Sequence, residues 1–497
     1  MQITAKQLIK SIPQRFKEEK AKDYHTIINF EIKGDDGGQF HVVINNGECK
    51  VFENLSNKPK CSLKTKAKNY ILLETGKLNP QMALLTGKLK VSNINEMLKF
   101  TKCFRRFRAD QLSDDKKSIV RPEKNGPLKG IRILDLTRLL PGPLATMYLA
   151  EMGADVIKIE DPDSPDYIRD YPPVINGQSA YYQTLNRSKR SLTLNFSSEK
   201  DIHIFYKLLQ KADVIIEQFR PGVMDKMGLS FDELKKHKPN IVFVSLSGYG
   251  QNGEYSNMAG HDLNYMANSG LLNLNRDENG KPVIPNFQIA DIAGGSYMLL
   301  AAVSTAILAR DKTNEAQKVD ISMMDGIMPL MTMAATEYWA DKKNGSTSSG
   351  ALSGKLANYN VYQCADDKWI ALAALEPKFW NIFCELIEKP EWKEWVLPEI
   401  SEKNNLKQKL TVLFKTKTRD EWVAHTKNTD ACLSPVNDFD DILRNQHIQD
   451  RKQISSIKNT PLKSFNQPIK FNEDLNDNIW EAPDLGEDNY QIIKDLG

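Results

Sequence analysis

From Ile131 onward the chain alternates short apolar runs with amphipathic ones, and this alternation restricts the possible folds more than any other feature. IRILDLT reads as a strand, the Pro141-Gly142-Pro143 turn follows, LATMYLAEMG reads as a helix and ADVIKIE as a second strand. SLTLNF, the helix EKDIHIFYKLLQKA, DVIIEQF, the helix SFDELKKH and IVFVSLSGYG continue the series. Strands alternating with helices predict an α/β unit, a largely parallel sheet covered on both faces. Ligands on such sheets gather at the carboxyl ends of the strands. The first strand–helix turn, RLLPGPLA, lacks G-x-G-x-x-G, and the chain has no G-x-x-x-x-G-K-[ST]. Neither a dinucleotide enzyme nor a P-loop nucleotidase is expected.

Residues 1–104 have a different texture. An opening helix places Leu8, Ile9 and Ile12 on one face, and TIINFEIKG, QFHVVI and ECKVFE read as strands. Asn46-Gly47 between two such runs predicts a hairpin, because both turn positions need positive φ. A helix through KAKNYILLETG, a strand GKLKV and a helix INEMLKFTKCF follow, the last with Ile94, Met97, Leu98, Thr101 and Phe104 on one stripe. Hairpins with flanking helices predict an α+β unit. RRFRADQLSDDKKSIVRPEKNGP has linker composition. After a helical region (about 291–340) and NGSTSSG, the runs NYNVYQC and KWIALAAL predict a hairpin, and Glu376-Pro377 opens the helix KFWNIFCELI. The expected organisation is a domain over 1–104, a charged linker over 105–126, a large lobe over 127–340, a small lobe over 341–420 and a return to the large lobe over 421–497.

Composition sets the class. With 40% hydrophobic and 26% charged residues in 497, the chain is globular, and disordered, collagen-like or disulfide-framework proteins are excluded. At roughly 150 residues per domain, about three units are expected. Residues 1–126 carry 25 Lys+Arg against 14 Asp+Glu, a net +11, and the remainder is net −8. The six cysteines are scattered without metal-ligand spacing, so no metal is expected and the thiols read as reduced and cytoplasmic. Arg105, Arg106 and Arg108 lack the interleaved aromatics of a nucleic-acid site. Ile292 to Leu308 is shorter than the roughly 20 apolar residues of a membrane span and reads as a buried helix. A soluble protein is expected.

Two sets of local sequences go further. KLNPQMALLTGKLKV, with the pattern before it, resembles the sterol carrier protein type 2 domain over roughly residues 1–104. That resemblance implies an apolar tunnel for a lipid, fatty acyl chain or acyl-CoA; otherwise Met82, Leu84, Leu85 and Leu89 simply fill a core. LLPGPLATMYLAEMGADVIKIE, NRSKRSLTLNF, RPGVMDKMGL, LSGYGQNGEYSNMAGHDLNYMANSG, IADIAGGS, ALEPKFW and NTDACLSPV resemble the family III CoA-transferase superfamily over about 127–475, and within it the α-methylacyl-CoA racemase branch. That resemblance implies a Rossmann-like large lobe with a small lobe, an interlocked homodimer, an acyl-CoA substrate and no cofactor beyond the CoA the substrate carries.

Racemising a carbon beside a thioester needs one group to remove the α-proton, another to return it on the opposite face, and stabilisation of the enolate between. By resemblance, His261 of Gly260-His261-Asp262 and Asp291 of Ala290-Asp291-Ile292-Ala293-Gly294-Gly295 carry the two proton transfers. Asp291 can also serve as a helix N-cap. Glu376 corresponds to a small-lobe Glu near the catalytic His, or else serves only its helix. Asp262 offers a backbone N–H to the enolate oxygen, or merely starts a helix. In the transferases the residue matching Asp291 is a nucleophile, so Asp291 does not separate the two reactions. Retention of His261, and Leu352-Ser353-Gly354-Lys355-Leu356 where transferases carry a glycine run, favour the racemase. The racemases' own string there is not matched by Ala357-Asn358-Tyr359-Asn360. For CoA the resemblance points to Asn186, Arg187, Ser188, Lys189 and Arg220, with Gly260 and Tyr265 near the thioester. Racemases often carry an Arg after VIKIE; Asp161 stands there, which leaves the nucleotide end to a base such as Lys158 or Lys189.

Overall fold

The computed structural model describes residues 4–17, 20–21, 23–74, 78, 80–104, 121–175, 177–277, 279–341, 351–396, 398–458, 460–472, 475 and 478–497. Most of the expected linker (105–120) and the NGSTSSG stretch lie outside the described residues.

The N-terminal domain is a five-stranded sheet in the order β3-β2-β1-β4-β5. Strands β1 (Thr26–Lys33), β2 (Gly38–Asn45) and β3 (Glu48–Phe52) form antiparallel hairpins, the second turning at Asn46-Gly47 with φ of 48° and 77°. β4 (Cys61–Lys66) runs parallel to β1, and β5 (Leu89–Val91) closes the edge. The helix Ile94–Lys102 corrects the expected stripe: Phe100 is buried while Ile94 and Leu98 are exposed. Met97, Phe100 and Phe104 form a second stripe of the same period, and the aromatic rings take the core, Phe100 lying 5.9 Å from Phe30. Of the four apolar residues in the carrier-like string, Leu89 is buried and Leu84 partly so, whereas Met82 and Leu85 face outward. They do not fill a core together.

The large lobe holds the predicted parallel sheet. Its strands are β6 (Arg132–Leu136), β7 (Asp155–Glu160), β10 (Arg190–Thr193), β11 (Val214–Glu217), β12 (Val242–Ser247) and β13 (Gln317–Ser322), a short hairpin β8 (Val174–Ile175) and β9 (Gln178–Ser179) standing apart. The order β10-β7-β6-β11-β12-β13 is parallel throughout. The chain builds outward from β6 in one direction and then in the other, so the strand order reverses between β6 and β11. One face packs Ile133, Ile216 and Val244 against the helices Pro141–Glu151 and Met298–Thr313; the other packs Leu134, Ile215 and Phe243 against Glu199–Gln210 and Phe231–His237. The Pro-Gly-Pro segment is the first turn of its helix and not a separate turn, as suits proline, which has no N–H to leave without an intrahelical partner there. The apolar helical stretch Ala290–Thr313 is long and apolar enough by length and composition to cross a membrane, yet Leu299, Val303, Ala306 and Ile307 seat one side of it on the sheet.

The small lobe pairs β14 (Tyr359–Gln363) with β15 (Trp369–Ala373), and β15 with β16 (Leu433–Pro435). It therefore runs on past residue 420, because β16 supplies the other edge of β15 and Trp422 joins its core. The chain then returns. Asp488 accepts from the N–H of Ser191 and Asn489 from that of Thr193, so the C-terminal segment covers the open edge of β10. Residues 121–125, expected in the linker, are fastened to the large lobe: Arg121 pairs with Asp488, and the Lys124 ammonium donates to the carbonyls of Ala150, Ala154 and Ser188 over the Trp480 ring.

Candidate active site

Beyond β12 a glycine-bearing loop leads to the helix Asp262–Ser269, whose N-cap is His261. The His261 imidazole is exposed, while its backbone N–H is held by the Asn264 side chain at 3.1 Å. Tyr265 is buried beneath the loop and donates its hydroxyl to the Gly260 carbonyl at 2.5 Å. A Cβ at Gly260 would lie 2.7 Å from the Tyr265 ring, so glycine is what allows the loop to close over this tyrosine.

Asp291 sits in a stretch wound as a π-helix, Ala290–Tyr297, which passes directly into Met298–Thr313. Such widened turns concentrate at functional sites. The N-cap is Ile289, so Asp291 lies within the first turn and does not cap the helix. That task falls to Asp262: one oxygen of its carboxylate accepts from the N–H of Ala290 at 2.6 Å and of Asp291 at 3.0 Å. Asp262 thus couples the residue after His261 to the backbone of Asp291. Burial pushes the Asp291 carboxyl up to about 7, and the neighbouring Asp262 charge adds to the rise. Tyr265 is raised as well, chiefly by burial and next by Asp291. From the other side, Ser296 donates to the Pro141 carbonyl at 2.7 Å, and Gly294 lets the segment touch Met323 backbone, where a Cβ would lie 2.2 Å from the carbonyl oxygen.

The other expected residues divide sharply. Asn186, Arg187, Ser188 and Lys189 are all buried. Lys189 donates to Asp135, Asn186 and the Pro143 carbonyl, and Arg187 to Glu151 and the Phe465 carbonyl. Ser188 has φ 66° and a buried hydroxyl. Lys158 is equally enclosed, paired with Asp166 at 3.1 Å. None of these cations presents a surface to a phosphate, because each neutralises an internal carboxylate. Arg220 is different: it is exposed after β11, and among the described residues its side chain makes no ion pair. Nearby, Arg138 after β6 lies over the Phe219 ring at 5.7 Å, and Glu217 accepts the Phe219 N–H at 2.7 Å. Burial raises Glu217 to about 7. Sequence reasoning passed over Arg138, Glu217 and Phe219, although all three end strands that border the strand-order reversal. Glu376 is the exposed N-cap of Pro377–Leu386 in the small lobe, and no hydrogen bond joins it to His261 among the described residues. The lobe thus offers an exposed imidazole, a carboxyl that titrates near neutrality and two cations at one edge. Together these can move protons beside an anionic ligand.

Comparison with known proteins agrees with this geometry. The model for CoA-transferase family III matches residues 128–489, and that for the SCP-2 sterol transfer family matches residues 5–105. Alpha-methylacyl-CoA racemase of Homo sapiens is 29% identical over 382 residues, covering 74% of this chain and 93% of that protein. Succinyl-CoA:glutarate CoA-transferase of Mus musculus is 27% identical over 379 residues, covering 74% and 86%. A CAIB/BAIF family protein from Brucella suis superposes with a TM-score of 0.66 at 25% identity, covering 75% of this chain and all of that one.

Proposed function

The chain belongs to CoA-transferase family III, and from that premise we propose that it epimerises 2-methylacyl-CoA thioesters by two-base proton transfer. The observation that carries this reading is the Asp291 carboxyl. At a pKa of about 7 it exists in both forms near neutrality, as a group that must give a proton in one direction and take it in the other requires. His261 serves the opposite face of the α-carbon, its neutral imidazole accepting the proton. Asp262 begins its helix, so its N–H has no intrahelical partner and is free to meet the enolate oxygen. Arg220 and Arg138 bind the CoA phosphates. CoA arrives on the substrate, and no separate cofactor takes part.

In this reading the protein works as a cytoplasmic homodimer. Leu308, Met333 and Trp339 are exposed, and a second copy would cover them and bring a small-lobe Glu376 toward His261. The N-terminal domain carries the fatty acyl chain or another lipid.

Transfer of CoA between carboxylic acids, with Asp291 as nucleophile, is the second reading, favoured by the several transferases among the relatives. Incubation with a 2-methylacyl-CoA in deuterium oxide separates the two. Epimerisation exchanges the α-hydrogen for deuterium with no free acid present. Absence of exchange while CoA still binds, with an intermediate trapped by hydroxylamine and turnover only on adding an acid, would establish transfer.

A further inference from the structure

The two parts of the chain meet at an ion pair that neither family description requires. Lys17 of the N-terminal domain lies 3.1 Å from Asp163 of the large lobe, with side-chain exposures of only 13% and 24%. Both ends of this contact are built. Lys17 donates its backbone N–H to Cys103 at 2.8 Å, and Phe16 packs on Phe104 at 5.6 Å, so the lysine stands where the N-terminal domain ends. Asp163 lies just beyond the carboxyl end of β7. Asp161 accepts from the N–H of Asp163 and of Ser164 at 2.7 and 2.9 Å, turning the loop outward. Asp166 fixes its far side, pairing with Lys158 and accepting the N–H of Leu139 in the turn that leads to Pro141. The aspartate that replaces a cation after VIKIE thus shapes a platform beside the crevice.

The covalent connection does not force this contact. Lys124 is fastened to Ala154 at the amino end of β7, and Arg121 to Asp488 beside Ser191, the second residue of β10, whereas Asp163 lies past the carboxyl end of β7. Six strand residues span ~20 Å, and the 17 steps from residue 104 to 121 can reach up to ~60 Å. Charge favours the contact. Residues 1–104 carry 18 Lys+Arg against 10 Asp+Glu, a net +8, and the loop contributes Asp161 and Asp163, Asp166 being neutralised by Lys158.

We propose that the loop Asp161–Asp166 is the docking surface for the chain's own N-terminal domain, which delivers a long-chain acyl-CoA at the mouth of the crevice through the Lys17–Asp163 pair. The delivery role rests on the function proposed above; the docking does not. A zero-length carbodiimide cross-link on the full chain should join Lys17 to Asp163, identified as a linked peptide by mass spectrometry. Lys17→Glu or Asp163→Lys should abolish that link and raise KM about fivefold for a long-chain substrate, the scale of one partly screened ion pair. The kcat and the short-chain KM should not move, and the double exchange should restore the long-chain KM. No cross-link in the wild-type chain overturns the docking. Equal KM changes for both chain lengths, or no recovery in the double exchange, overturn the delivery. A wild-type chain that cross-links but does not epimerise would refute the proposed reaction and leave the docking standing.

Discussion

Asp135 and Asp291 lie in the same lobe, yet their surroundings shift the two carboxyls in opposite directions. Asp135 is wholly buried and saturated: Lys189, the Thr137 hydroxyl and N–H, and the Thr146 hydroxyl all donate to it. Burial alone would raise its carboxyl, but Lys189 and Lys158 override that and hold it below its usual value. Asp291 is less enclosed and receives no donor at its carboxylate among the described residues, while the nearest charge, Asp262, is of like sign. Depth alone does not decide which acid can exchange a proton. What decides is whether the fold supplies donors and cations for the charged form. The buried Asp135 network stabilises the join between β6, β7 and the Asn186–Lys189 turn, and Asp291 is left poised.

The contrast can be broken from either side. Asp291→Ala and His261→Ala should each lower α-proton exchange by about 10²- to 10⁴-fold with urea unfolding unchanged or slightly improved. Loss of fold instead of exchange would place these residues in the stabilising class. Asp135→Ala should do the reverse, reducing stability in urea by about 3–5 kcal/mol because it strands Lys189 in the interior. A smaller effect would show that water relieves the orphaned lysine. The gentlest change is Asp262→Asn, which keeps an oxygen for the two N–H groups and removes the charge. The neutral limb of the kcat/KM profile should move to lower pH by less than about one unit, since burial is the larger cause of the Asp291 shift. The same shift has a sign in stability. The folded pKa of about 7 exceeds the ordinary 3.8, so the unfolded chain binds fewer protons between those values. Stability from Asp291 is present below pH 4 and lost as pH rises through 7. Asp291→Asn should flatten that decline in urea titrations at successive pH values.

Much of the fold was legible because strand and helix periodicity is local. The strands missed were β4 and β13, together with the short β8, β9 and β16 of two or three residues each. CSLKTK and QKVDIS are half polar, and β13 lies at a sheet edge, where its outer residues face water and conceal the apolar signature. The positions of His261, Asp262 and Asp291 were legible from the strings around them. The orientation of Asn186 to Lys189 was not: a string match gives position along the chain, whereas burial of Lys189 depends on Asp135, 54 residues earlier. The capping of the Asp291 segment by Asp262 was equally hidden, as it joins backbone N–H groups 28 and 29 residues away.

The seam between Asp488, Asn489 and the edge of β10 also bears on the order of synthesis. All six strands of the large lobe's sheet and the whole small lobe leave the ribosome before this segment does, and until it emerges the N–H groups of Ser191 and Thr193 have only water for partners. Arg121, at the entrance to the lobe, waits for the same Asp488. The small lobe, continuous in sequence from β14 to β16, can settle while the chain is still growing. The large lobe therefore becomes whole only after the small one, and a chain that stalls before Asp488 would carry a finished small lobe on an unsealed large one.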